Sequence, residues 1–74
     1  MEITYDIQLV FVERLKELMS EHNLNNKTFS EKIKIPDSTI SDWKLKKTTP
    51  NMFNIVKIAL FFGVTTDYLL GLEN

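Results

Sequence analysis

The run Asn25-Asn26-Lys27-Thr28-Phe29-Ser30-Glu31-Lys32-Ile33-Lys34-Ile35-Pro36-Asp37-Ser38-Thr39-Ile40-Ser41-Asp42-Trp43-Lys44-Leu45 decides the fold, because it reads as two short helices around a tight turn. Phe29 and Ile33 share one face of a helix over Asn26 to Ile33, and Asn25 can cap it by accepting from a free first-turn N–H. Pro36 is expected to open the next helix, since a residue without an N–H loses no hydrogen bond in a first turn. That helix extends to about Leu45 and points Ile40 and Trp43 inward. Leu24, Phe29, Ile33, Ile35, Ile40 and Trp43 supply the buried positions that set the angle between the pair. Asp37, Ser38, Ser41 and Asp42 are left on the outer face of the second helix.

Upstream of this unit, Phe11, Leu15, Leu18 and Met19 recur at helical spacing, and Ile7 and Val10 extend the stripe toward the N-terminus. Glu13, Arg14, Lys16 and Glu17 fall on the polar side, and His22 and Asn23 close the helix. The opening residues have two readings. Ile3, Tyr5, Ile7, Leu9 and Phe11 alternate as a strand does, whereas Asp6 can cap a helix. The cap is favoured, with residues 1–5 as an arm, residues 1–9 together as an N-terminal extension and residues 10–72 as the domain. Downstream, residues 46–50 form a break, and Asn51 caps a helix over Met52–Phe62 that Gly63 ends in the left-handed conformation. Thr65 caps a last short helix with Asp67 in its first turn, and Gly71 stops it. Five helices and no strand make the chain all-α.

Seventy-four residues allow one small domain, and 43% hydrophobic with 26% charged residues excludes a disordered chain. The absence of Cys excludes a disulfide framework and a Cys-containing zinc site. The longest apolar run, from Ile58 to Phe62, is far short of the roughly 20 residues a membrane span needs. The acidic start is unlike a secretory signal, so a cytoplasmic protein is expected. One His, no Cys, no Gly-rich phosphate loop and no cluster of convergent acids exclude the common enzyme chemistries. His22 is expected to be a capping or exposed residue, and no metal, cofactor, membrane or small-molecule ligand is expected.

The net charge of −1 speaks against a general nucleic-acid sponge until it is divided along the chain. Residues 27–57 carry seven bases against three acids, and both flanking segments are negative. The positive window coincides with the paired helices. Such a pair can brace one helix across a DNA backbone and lay the other in the major groove.

Further residues make the likeness specific. The stretches Arg14-Leu15-Lys16-Glu17-Leu18, Ser30-Glu31-Lys32-Ile33, Ser38-Thr39-Ile40-Ser41-Asp42-Trp43 and Pro50 resemble the Cro/C1-type (XRE) helix-turn-helix repressor family. So does the closing Phe61-Phe62-Gly63-Val64-Thr65-Thr66-Asp67-Tyr68-Leu69-Leu70-Gly71. The resemblance covers about residues 12–71. It implies a five-helix, lambda-repressor-like DNA-binding domain with the second and third helices as the helix-turn-helix. It also implies a small phage-like or bacterial regulator that binds double-stranded operator DNA, usually as a two-fold dimer. Carried over by position, Asn26 and Lys27 grip phosphate at the start of the second helix, where backbone amides and the dipole favour an anion. Asp37, Ser38 and Asp42 stand at base-reading positions with Ser41 beside them, and Lys44, Lys46 and Lys47 flank the phosphate backbone.

The chain departs from the family in several places. Asn26 stands for the usual Gln, Ser30 for Ala, Lys34 for Gly and Pro36 for a Ser/Thr cap. A non-Gly residue in the left-handed region costs about 1 kcal/mol or more, so Lys34 either tolerates that strain or marks a different turn. Asp37 and Asp42 can accept from cytosine N4 but repel phosphates, and Asp37 is equally suited to partner its own helix dipole.

The fourth helix adds a reading independent of family. Met52, Ile55, Ile58, Ala59 and Phe62 form a core face, while Phe53, Val56 and Leu60 form a second apolar stripe nearly opposite. A helix apolar all round is buried on both sides. A homodimer through this stripe is favoured over cover within the chain by Ile3, Tyr5 and Ile7. The rival to a DNA-binding regulator is a protein-interaction module on the same scaffold, antitoxin-like or anti-repressor, which needs the stripe but none of the lysines.

Overall fold

In the computed structural model, which describes residues 6–73, the chain forms α1 (Ile7–Glu21), α2 (Asn26–Ile33), α3 (Asp37–Lys44), α4 (Met52–Phe62) and α5 (Thr66–Leu70). Among the described residues there is no strand. Side-chain caps explain four of the helix starts. Asp6, Asn25, Asn51 and Thr65 accept from the backbone N–H of Leu9, Thr28, Asn54 and Tyr68 respectively. At Asn25 the cap is reciprocal, because the Thr28 hydroxyl also accepts from the Asn25 N–H. Each such cap contributes about 1 kcal/mol. The helical reading of the start therefore holds from Asp6 onward, and α1 runs straight through the expected boundary between residues 9 and 10. The expected arm over residues 1–5, with Ile3 and Tyr5 as cover, lies outside the described residues.

Pro36 is not the first residue of α3. Its φ of −54° suits a helix but its ψ of 140° is extended, so it occupies the N-cap and supplies no side-chain hydrogen bond. Residue Asp37 opens the helix instead. The reason is the turn that precedes it. Lys34 is left-handed (φ 60°, ψ 45°), and Ile35 donates its N–H back to Ser30, so the chain still has to change direction at Pro36. Lys34 thus keeps the left-handed turn that a Gly would adopt more cheaply. The Ser30 hydroxyl, in turn, donates to the Ile35 carbonyl and ties down the turn's exit.

Lys46 is also left-handed, with φ 62°. It ends α3 in a Schellman arrangement, Lys47 N–H donating to the Asp42 carbonyl and Lys46 N–H to the Trp43 carbonyl. Gly63 and Gly71 end α4 and α5 in the same left-handed region, as their positions predict.

The helices pack around one core. α1 lies against α5 and α3, α2 against α3 and α4, and α4 against α5. Leu15, Phe29, Ile40, Trp43, Ile58 and Leu69 are fully buried at its centre. Phe29 stacks on Phe62 at 5.4 Å between ring centres, and Phe11 meets Trp43 edge-on at 6.1 Å. Burying each such side chain contributes roughly 1.5–3 kcal/mol, so the outer faces of α2 and α3 rest on a fixed base.

Several expected positions move. The α1 stripe is Phe11, Val12, Leu15, Leu18 and Met19, centred on Leu15, while Ile7 is exposed and Val10 only half-buried. Val12 is three residues before Leu15 and seven before Met19, which puts it on the same face. Leu24 is half-buried against the core rather than inside it. Met52 does not join the core face of α4 and is 71% exposed. It is the first residue of α4, one turn before Ile55 and at the margin of the face centred on Ile58 and Phe62. Arg14 is no plain surface residue. Its guanidinium sits 4.3 Å from the Tyr68 ring centre and donates at 2.7 Å to the carbonyls of Tyr68 and Glu73, fastening α1 to α5. His22 caps α1 through its backbone and rests edge-on against Phe62.

Candidate nucleic-acid interface

α3 turns Ile40 and Trp43 into the core. Residues at i, i+3/i+4 and i+7 share a helix face, so Ser38, Ser41, Asp42 and Leu45 line up on the opposite side. Ser38 is exposed, Ser41 and Asp42 are half-buried, and Leu45, at the C-cap, is 65% exposed. Asp37 is exposed at the edge of this row. Leu45 was not among the residues singled out from the sequence. Its seven-residue spacing from Ser38 carried the signal, but the end of a helix is where apolar periodicity is least informative.

The structure brings three of the expected contact residues together. Asn26, the first residue of α2, donates through Nδ2 to the Ser41 hydroxyl at 3.0 Å and accepts a hydrogen bond from the Lys44 ammonium through Oδ1. The start of α2 is thereby tied to one flank of α3. Burial holds the Lys44 ammonium below the usual lysine range, and repulsion from Lys16 adds to the effect while attraction to Asp37 opposes it. Lys44 is therefore engaged within the protein rather than held out toward solvent.

Lys46 is engaged as well. Its ammonium pairs with the Asp6 carboxylate at 3.3 Å, and its carbonyl accepts from the Gln8 side chain at 3.2 Å. The Leu9 N–H first, and the Lys46 ammonium second, hold the Asp6 carboxyl below the ordinary aspartate range. Lys27 and Lys47 are exposed, and among the described residues neither side chain has a hydrogen-bond or ion-pair partner. The Asp42 carboxylate has none either. Of the four lysines expected at phosphate, Lys44 and Lys46 are thus engaged, and Lys27 and Lys47 are without a partner among the described residues.

On α4, Phe53, Val56 and Leu60 are 76%, 43% and 78% exposed, so nothing in the described chain covers the second stripe. An apolar groove of about 320 Å³ opens between α1 and the start of α4, lined by residues including Ile7, Phe11, Pro50 and Ile55. Among the described residues no cluster of His, Cys, Asp or Glu could hold a metal ion, and no helix is long and apolar enough to cross a membrane.

Residues 12–74, which contain this helix pair, match the family described as a helix-turn-helix domain. The chain belongs to the XRE-type helix-turn-helix family. It is similar to the HTH-type transcriptional activator BcrR of Enterococcus faecalis, 36% identical over 63 residues that make up 85% of this chain and 31% of the relative. It is 30% identical over 65 residues to the uncharacterized HTH-type transcriptional regulator YobD of Bacillus subtilis, covering 88% of this chain and 58% of that one. The HTH-type transcriptional regulator ImmR of the same organism is 30% identical over 59 residues, 80% of this chain and 46% of its own. The chain therefore spans between about a third and three-fifths of the length of these relatives. No solved structure matches it. All three of these relatives are described as HTH-type transcriptional activators or regulators.

Proposed function

We propose that the chain is a sequence-specific double-stranded DNA-binding transcriptional regulator, a repressor by its likeness to the Cro/C1 type, which works in the cytoplasm as a homodimer on a two-fold operator. One observation carries the reading. The outer row of α3 is polar up to Leu45 and stands on the buried core, and exposed lysines without a partner among the described residues lie in the first turn of α2 (Lys27) and just past α3 in the chain (Lys47). Set in the major groove, that row reaches base edges while Lys27, at the start of α2, and Lys47, beyond α3, meet phosphates. Asn26 then acts by positioning, since its amide holds Ser41 and Lys44 in place. Lys44 and Lys46 each already donate to a partner within the protein and are less available to phosphate than Lys27 and Lys47.

The homodimer rests on α4. Met52, Phe53, Val56 and Leu60 present an apolar patch on the order of 500 Å², as large as a monomer ordinarily leaves uncovered. A two-fold contact pairs this patch with itself and removes about twice that area, close to the lower limit for a specific interface. Lys57 lies on the same row and can cover apolar surface with its stem while its ammonium reaches the rim.

The test is a fluorescence-anisotropy titration of the folded chain on duplexes selected from a random pool. Affinity is expected to fall steeply as salt rises, because each phosphate contact releases condensed counterions. Salt-independent association, or a folded chain that binds no duplex at low salt, favours the interaction-module reading instead.

A further inference from the structure

We infer that α3 reads a cytosine beside a thymine, with the Asp42 carboxylate accepting from cytosine N4 and the Leu45 side chain packing on the thymine methyl. The inference rests on the DNA-binding reading above and adds to it which bases are read. The other outward residues of α3 discriminate poorly. Asp37 is in the first turn, where the helix dipole engages its charge, and it lies close enough to Lys44 to interact electrostatically. The Ser41 hydroxyl already accepts from Asn26, and the Ser38 hydroxyl can donate or accept and so suits any base. Discrimination falls to the two that remain.

Asp42 is half-buried, and its carboxylate has no partner among the described residues. An ionised carboxylate can only accept. In the major groove guanine shows it two acceptors, thymine an acceptor and adenine a donor beside an acceptor, whereas cytosine shows a donor alone. Leu45 is 65% exposed three residues further on. The one apolar group a base carries into that groove is the thymine methyl. Three residues of helix advance roughly 4.5 Å. Neighbouring bases on a strand are separated by about 3.4 Å, so the two side chains match one base step. Lys47, two residues past Leu45 in the chain, is exposed and has no side-chain partner among the described residues, so its charge is available to offset repulsion between Asp42 and the phosphates.

Selection from random duplexes, followed by anisotropy on the selected site, tests both assignments. Replacing the cytosine, with its paired guanine, is expected to weaken binding about tenfold or more. The Asp42→Asn variant should prefer adenine at that position, since an amide can both donate to and accept from adenine. Replacing the thymine by deoxyuridine removes only the methyl. It should weaken the unaltered chain several-fold and leave Leu45→Ala unaffected. Thermal melting of both variants confirms that they are folded. If Asp42→Asn tightens binding equally on all duplexes, Asp42 only repels phosphate and its assignment falls. A deoxyuridine duplex that binds the unaltered chain normally removes the Leu45 assignment. If the folded chain binds no duplex, the DNA reading fails and both assignments fail with it.

Discussion

The outer face of α3 and the outer face of α4 are both uncovered, and they are opposites in chemistry. α3 presents Ser38, Ser41 and Asp42 with a single apolar residue at its end, Leu45. α4 presents Phe53, Val56 and Leu60 with a single charge among them, Lys57. A polar row loses little by staying hydrated and suits a wet, charged partner. An apolar row gains by excluding water and suits another apolar surface. One core thus holds out two faces of opposite chemistry, each suited to a different kind of surface.

The largest effect is expected at Leu60, which is 78% exposed on α4. Leu60→Glu removes two apolar side chains from a two-fold contact, each contributing roughly 1.5–3 kcal/mol, and adds two carboxylates. Sedimentation should show the dimer weakened at least about 100-fold with the melting temperature of the fold little changed. A dimer of unchanged affinity would place the interface elsewhere. On the α3 side, Lys47→Ala should weaken binding several-fold on every duplex alike and reduce the salt slope by about one, read by anisotropy over a salt series. A change confined to one sequence would make Lys47 a base contact.

Some of these features are marked in the sequence by single residues. Asn25, Asn51, Thr65, Gly63 and Gly71 mark helix ends through local chemistry, and each acts where its type predicts. The second stripe of α4 was visible because periodicity reports faces. Periodicity does not report how far along a helix its neighbours reach, so Met52 reads as a core position although it is exposed. It also says nothing about partners distant in the chain. Arg14 with Tyr68, Asn26 with Lys44 and Asp6 with Lys46 depend on how the helices are set against one another. The candidate residues could therefore be named from the sequence, but which of the lysines are engaged within the fold could not.

Two smaller effects sharpen that division. Lys34→Gly relieves a left-handed non-Gly residue at the turn and should stabilise the fold by about 1 kcal/mol in a denaturant melt, leaving DNA affinity unchanged. An unchanged or lower stability would mean that the Lys34 side chain contributes more than its backbone costs. The smallest effect concerns Asp6. Its carboxyl is held below its ordinary value of about 3.8 in the fold, so whatever stability the pairing confers is complete above that pH. That contribution is lost as the pH falls through the depressed value. Asp6→Asn should remove this acid-side dependence and, at neutral pH, free Lys46 for phosphate, raising affinity slightly at low salt.

A hydroxyl-radical footprint on a selected duplex tests most directly that α3 takes DNA while α4 takes a second copy. Two protected half-sites related by a two-fold axis, about 34 Å apart, are expected, and both should be lost together in Leu60→Glu at concentrations where the unaltered chain binds. A single unsymmetrical patch, equally strong in Leu60→Glu, would contradict it.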